Sequence, residues 1–184
     1  MKTRHRIVLV AVLGSLVAVT GACSSSNTSS DTTVVAQAEA NNPYGAGPIE
    51  AAQPGETILR VNVRGNVTEY SLESLQKLPA TTVELFEPFI KVRSNFTGVS
   101  LADLFRANGI EVGDNVDTLA LNEYRYVNTA YEFTVSDGLL AYEQDGKSIP
   151  IDRGGPIRIV FPDGTPLADL LDAWNWALRT ITVK

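Results

Sequence analysis

The chain has 184 residues, 44% of them hydrophobic and 20% charged, with a formal net charge of −6. That is enough apolar material for one folded domain, and it lacks the basic footprint that general nucleic-acid binding requires. The single Cys, Cys23, and the single His, His5, both fall in the first 23 residues, so the rest of the chain has no Ser-His-Asp triad, Cys nucleophile, Cys/His zinc site or disulfide framework.

Lys2, Arg4 and Arg6 precede an apolar run over 7–19, the pattern of a secretory signal and too short for an ordinary membrane-spanning helix. Thr20-Gly21-Ala22 and Cys23 follow directly. This arrangement resembles the bacterial lipoprotein signal, with Thr20 where Leu is usual. The resemblance implies cleavage before Cys23 and a lipid on its thiol and new amino terminus. Several acyl chains would hold the protein firmly at a membrane, in the extracytoplasmic cell envelope. Loss of residues 1–22 removes three basic and no acidic residues, which leaves 12 basic against 21 acidic and a charge of −9. Residues 24–56 are rich in Ser, Thr, Asn, Ala, Gly and Pro without helical or strand period and read as a tether. The expected organisation is a signal over 1–22, a lipidated Cys and tether over 23–56, and one folded domain over 57–184.

Apolar alternation predicts a first strand over 57–63, a turn at Arg64-Gly65-Asn66 and a second strand over 67–70. Ser71 can cap a short helix with Leu72, Leu75 and Leu78 on one side, ended by Pro79. Residues 81–86 and 90–96 read as strands, the second with Lys91 and Arg93 on one side. Ser100 and Asp103 have capping-box spacing ahead of a helix buried through Leu101, Leu104 and Phe105 and stopped by Gly109. A strand over 117–122 leads into a polar, Tyr-rich connection over 123–131. Residues 132–135 read as extended and 136–142 as a short helical turn, followed by an Asp-Gly type turn at 144–147. The strongest strand signal is 157–161, between Gly-Gly-Pro and Pro-Asp-Gly. Residues 167–173 read as a short helix or loop and 176–183 as a last strand. Many short strands with a few short helices predict an α+β fold, a single compact domain with a mixed β-sheet.

Arg158 lies inside the strongest strand. A buried Arg needs a carboxylate, carbonyls or an anionic ligand for its five donors, so either a structural ion pair or a ligand site is expected there. Arg93, Arg125 and Arg153 are candidates for a basic rim facing an anion. Glu84 and Glu87 are three residues apart and carry no metal signature by themselves, so no metal ligands are assigned. Trp174 and Trp176 read as core or interface aromatics.

Five stretches occur in the order found in one family: FTGVSLADLF at 96–105, LNEY at 121–124, LAYEQDGKSIP at 140–150, RGGPIRIVFP at 153–162 and WALRTITV at 176–183. They match W-x-G-V-P-L-x-D-L-L, a strand end carrying a pocket Tyr, L-A-x-x-x-D-G-x-x-L-P, x-G-G-P-L-R-L-V-V-P and W-x-L-K-x-I-x-V. The region 57–184 thereby resembles the molybdopterin-binding domain of the sulfite-oxidase superfamily, in its short bacterial form. The resemblance implies molybdopterin as the cofactor and Asn122 and Tyr124 as pocket residues, beside Arg93, Arg125, Arg153 and Arg158. Catalytic members hold molybdenum through a Cys upstream of the first motif. Here that region, 81–89, is TTVELFEPF and has no Cys, and Asn175 stands where a basic residue often precedes the closing Trp. No protein thiolate is available as a soft ligand. Three functions follow as expectations: a non-catalytic anchored domain that binds a small anion or a partner protein, a molybdopterin-dependent oxidoreductase in an electron-transfer system, and a purely structural surface domain.

Overall fold

The computed structural model describes residues 52–184. The expected signal, the expected lipidation at Cys23 and most of the expected tether fall outside the described residues. Among the described residues no helix is long and apolar enough to cross a membrane.

The strands form two five-stranded sheets. The first contains β1 (Leu59–Val63), β2 (Asn66–Tyr70), β5 (Asn115–Ala120), β6 (Arg125–Thr129) and β10 (Leu178–Val183), in the order β2-β1-β10-β5-β6. It is a mixed sheet, because β1 and β10 are parallel while the other pairs are antiparallel. The second contains β3 (Ala80–Glu87), β4 (Val92–Ser100), β7 (Leu139–Gln144), β8 (Lys147–Ser148) and β9 (Arg158–Val160). Here β3 pairs β4, β4 pairs β7, and β8 and β9 lie end to end along the other edge of β7.

Local chemistry explains the well-signalled elements. Leu59, Val61 and Val63 point inward at every second position of β1, as a half-buried strand requires. Arg64 and Gly65, at φ 52° and 89°, close the β1–β2 hairpin in the left-handed geometry that a two-residue turn needs. Helix α1 is Leu72–Leu75. Helix α2, Leu101–Ala107, begins where Ser100 Oγ accepts from the Asp103 amide at 3.0 Å and donates to the Asp103 carboxylate at 2.7 Å. Leu101, Leu104 and Phe105 are buried as expected.

Three elements differ from the sequence expectation. Residues Ala130–Val135 form helix α3, where an extended segment was expected from 132. Thr129 caps it by accepting from the Glu132 amide at 3.1 Å, and burial of Ala130 and Phe133 on one face outweighs the strand propensity of Phe-Thr-Val. The expected helical turn over 136–142 is instead largely β7. Its residues Leu139 to Tyr142 are all buried, and a strand covered on both faces shows no alternation to separate it from a helix. The Tyr-rich connection contains β6, an edge strand held to β5, with Tyr126 set edge-on to Phe133 at 5.9 Å.

The 157–161 strand signal resolves as the three-residue β9 at a sheet edge, yet all three residues are buried. Its other side is covered by 175–178: the Ile159 amide donates to the Asn175 carbonyl and the Leu178 amide to the Ile157 carbonyl, each at 3.0 Å. The core accordingly runs continuously from β1 and β10 through α2 and α3 to β7 and β9.

Candidate functional site

Arg158 is carried into the interior by its strand neighbours Ile157, Ile159, Val160 and Phe161, all fully buried. It is itself only 1% exposed. Glu87 comes from the end of β3, where it follows Val83 and Leu85 on the inward side by strand period, and is equally buried. One oxygen of its carboxylate, Oε2, accepts from Arg158 Nη1 at 2.7 Å. The other, Oε1, accepts from the Phe89 amide at 3.1 Å. Arg158 Nη1 also donates to the Arg153 carbonyl at 3.0 Å.

Aromatic rings wall this pair. The guanidinium carbon lies 4.3 Å from the Trp176 ring centroid, 5.7 Å from Phe96, and 6.0 Å from Phe89 and from Trp174. Phe89 packs edge-on against Trp176 at 4.9 Å, closing the solvent side. The Gly154-Gly155 pair makes the approach possible. A Cβ on Gly154 would lie 2.7 Å from the Trp176 ring, and one on Gly155 1.8 Å from the Ile149 carbonyl oxygen. Burial pulls the Arg158 guanidinium down to about 10, against the opposing pull of Glu87, so it stays charged at neutral pH. Its Nε and Nη2, and Nε1 of Trp176, are buried and meet no acceptor among the described residues.

Of the other expected site residues, Arg153 meets Arg158 through its carbonyl and the rest are placed apart. Arg93 on β4 is exposed and paired with Glu84 at 3.4 Å and with Asp163. Asp163 Oδ1 also accepts from the Phe86 amide at 2.8 Å, and that bond, helped by Arg93, holds its carboxyl below the usual aspartate value. The stability it contributes is complete above the ordinary aspartate range and is lost as pH falls through the lowered native value. Arg125 pairs with Asp117 at 3.3 Å on the first sheet. Asn122 Oδ1 accepts from the Tyr124 amide at 3.0 Å, and the Tyr124 hydroxyl donates to the Asp172 carbonyl at 2.9 Å. Arg153 is exposed and makes no ion pair among the described residues. With Lys147, Ser94 and Gln144 it lines an open groove of about 690 Å³. Of the six, then, Arg158 and Arg153 are in direct contact, while Asn122 and Arg125 bond within the β5–β6 hairpin and Tyr124 reaches from it to the Asp172 carbonyl. Glu87, Phe89 and Phe96 complete the Arg158 site. The signal for Glu87 was indirect: a buried Arg requires a carboxylate.

The two-sheet α+β domain has a sulfite-oxidase-like molybdopterin-binding fold. The family model for the oxidoreductase molybdopterin binding domain matches residues 46–170, more than half of the chain, and the chain belongs to that family. Among solved structures, 27 chains match. One is the sulfane dehydrogenase SoxCD from Paracoccus pantotrophus, with a TM-score of 0.58 and 16% identity. The match covers 74% of this chain and 40% of that one, a likeness of fold. No curated protein matches.

The donor set does not fit a molybdenum centre held by the protein. The described residues contain no Cys, and no group of three or more His, Cys, Asp or Glu side chains is placed to hold a metal ion. The buried end of β3, within the stretch 81–89, offers the Glu87 carboxylate. That is a hard oxygen ligand where a soft one is required, and both of its oxygens are already engaged.

Proposed function

We propose that this protein is a lipid-anchored, extracytoplasmic accessory domain that uses a molybdopterin-type fold to dock a partner protein, without conventional molybdenum catalysis. The anchor is Cys23, as its lipoprotein-like signal implies. The observation that carries the docking reading is the apolar surface beside the Arg158 site. Phe86, Phe89 and Leu171 are 44%, 42% and 49% exposed. Phe86 and Leu171, with Pro88, Ala168 and Trp174, line a groove of about 430 Å³ next to Phe89. Exposed large side chains gathered at one place mark interaction surfaces, whereas the same residues scattered singly would not.

The test is in-cell photo-crosslinking of the full-length protein on membranes, with a benzophenone amino acid at Phe86, Phe89 or Leu171. Discrete adducts are expected from these three positions and none from Val67, an equally exposed apolar residue on β2. Adducts that are absent, or equal at all four positions, would contradict docking at this surface.

A second reading has its own observation. Lys147 and Arg153 make no ion pair among the described residues and face the 690 Å³ groove, which suits a small anion. Charge removal at both residues would abolish such binding and leave the crosslinks unchanged.

A further inference from the structure

Strand β3 lies at the edge of the second sheet and pairs only with β4 among the described residues. It is eight residues long, and its first three residues are exposed. Along an edge strand, successive residues turn their amide and carbonyl alternately to the neighbouring strand and to the free side. Two observations fix which residues of β3 face out. The Phe86 amide donates to Asp163 Oδ1 at 2.8 Å, not to β4. Asn95, the β4 residue opposite Glu84, is turned away from β3: its amide donates to Asp145 Oδ1 at 2.9 Å and its carbonyl accepts from the Asp145 amide at 2.8 Å. Opposed residues of an antiparallel pair turn toward each other or away together, so Glu84 turns outward, and by the same alternation so does Thr82. The backbone groups of Thr82 and Glu84 bond to no other element among the described residues.

This edge is open and straight. Long edges are ordinarily blunted by lysine, proline or a bulge, and Ala80–Glu87 has none of the three. Asp163 closes it only at Phe86. The groove of Phe86, Leu171 and Trp174 begins there, so a strand laid along Thr82 and Glu84 ends at that groove.

Charge selects the occupant. The Glu84 carboxylate is exposed, and its ion pair with Arg93 is long, at 3.4 Å. The groove is lined by Asp163 and Asp169 and by no basic residue. Asp163 is matched by Arg93, whereas Asp169 makes no ion pair among the described residues. A second copy of the chain complements this poorly: its β3 would bring two more glutamates and no Lys or Arg, on a chain of net charge −6. A basic segment complements it well.

We infer that the free edge of β3 adds an extended segment of the partner protein as a further strand, one in which Lys or Arg alternates with apolar residues. This rests on the docking reading above and names what docks and how.

The probe is the fluorescently labelled hexapeptide KVKLKV, titrated by anisotropy into the full-length protein in detergent. Saturable binding is expected, at least about tenfold tighter than that of EVELEV. Fully N-methylated KVKLKV keeps the side chains but has no backbone donor, and is expected to bind at least about tenfold more weakly. Thr82→Pro removes one outward donor at a place where an edge strand tolerates proline, and is expected to weaken KVKLKV by a similar factor with the thermal midpoint little changed. Should that variant fail to fold, the N-methylated peptide decides alone. Absence of saturable binding would overturn the inference, as would equal binding of KVKLKV and its N-methylated form. A folded Thr82→Pro variant that binds as the wild type does would overturn it too, since the peptide then sits elsewhere. Crosslinks present at Phe86, Phe89 and Leu171 while the peptide results fail would remove this inference alone. Crosslinks absent at all three would remove the docking reading and the inference with it.

Discussion

Glu87→Leu destabilises the domain by about 3–5 kcal/mol at neutral pH, the range for a buried ion pair that loses one partner. The Glu87 and Arg158 side chains are each 1% exposed, so water does not replace the lost charge. In the intact site Glu87 opposes the downward pull of burial on the Arg158 guanidinium, and Glu87→Leu leaves that burial unopposed. The aromatic walls soften the loss without cancelling it, because cation–π contacts contribute roughly 0.5–2 kcal/mol. Arg158→Leu falls in the same range, since it leaves the Glu87 carboxylate buried with only the Phe89 amide as a donor. Glu87→Leu with Arg158→Leu is expected to recover most of the stability, because apolar replacement of a whole buried pair is often neutral. Urea denaturation of the four proteins yields the coupling directly. Additive single effects would show that the two groups do not act as a pair.

Gly155→Ala is expected to be more damaging still. The added Cβ would sit 1.8 Å from the Ile149 carbonyl oxygen, 2.6 Å from its carbon and 3.0 Å from the Pro150 oxygen. All three atoms are backbone, and the Gly155 amide is itself tied to the Pro150 carbonyl at 2.9 Å. No side-chain rotation relieves the clash, so the 150–156 loop must move. The loop carries the Arg153 carbonyl that holds Arg158 and the Gly154 surface against which Trp176 packs. A loss above about 4 kcal/mol is expected, enough to unfold a domain of ordinary stability. Gly164→Ala is the control: that glycine has φ 76° and open space around it, so the cost is conformational only, about 1–2 kcal/mol. Soluble yield and thermal midpoint of the two variants distinguish a packing constraint from a general intolerance of alanine in loops.

These expectations show where the sequence was legible. Short-range chemistry was: the alternation in β1, the Arg64-Gly65 turn and the Ser100/Asp103 cap each depend on residues a few positions apart. Helix α3 had a comparable signal in Thr129 and Glu132 at capping-box spacing, but the β-branched character of the residues after it pointed to a strand. The buried β7 had no period to read. The division into two sheets rests on pairing the first strand with the last, β1 with β10, which no local pattern encodes. The ordered motifs led to the right family. At the site, burial of Arg158 made a carboxylate partner expected, but nothing local singled out Glu87, 71 residues away, among 21 acidic residues. Asn122 and Tyr124 came from resemblance alone; the Asn122 side chain accepts from the Tyr124 amide and the Tyr124 hydroxyl donates to the Asp172 carbonyl.

Cofactor content tests the central claim most directly. The full-length protein, produced with its own signal in a host that makes molybdenum cofactor, is purified from membranes. Molybdenum per chain and the fluorescence of acid-released pterin are then measured. Because both Glu87 oxygens are engaged, by Arg158 and by the Phe89 amide, and the described residues contain no Cys, molybdenum far below one atom per chain is expected. Near-stoichiometric molybdenum together with pterin would contradict the accessory role and make this domain a redox enzyme with a metal held by the cofactor alone.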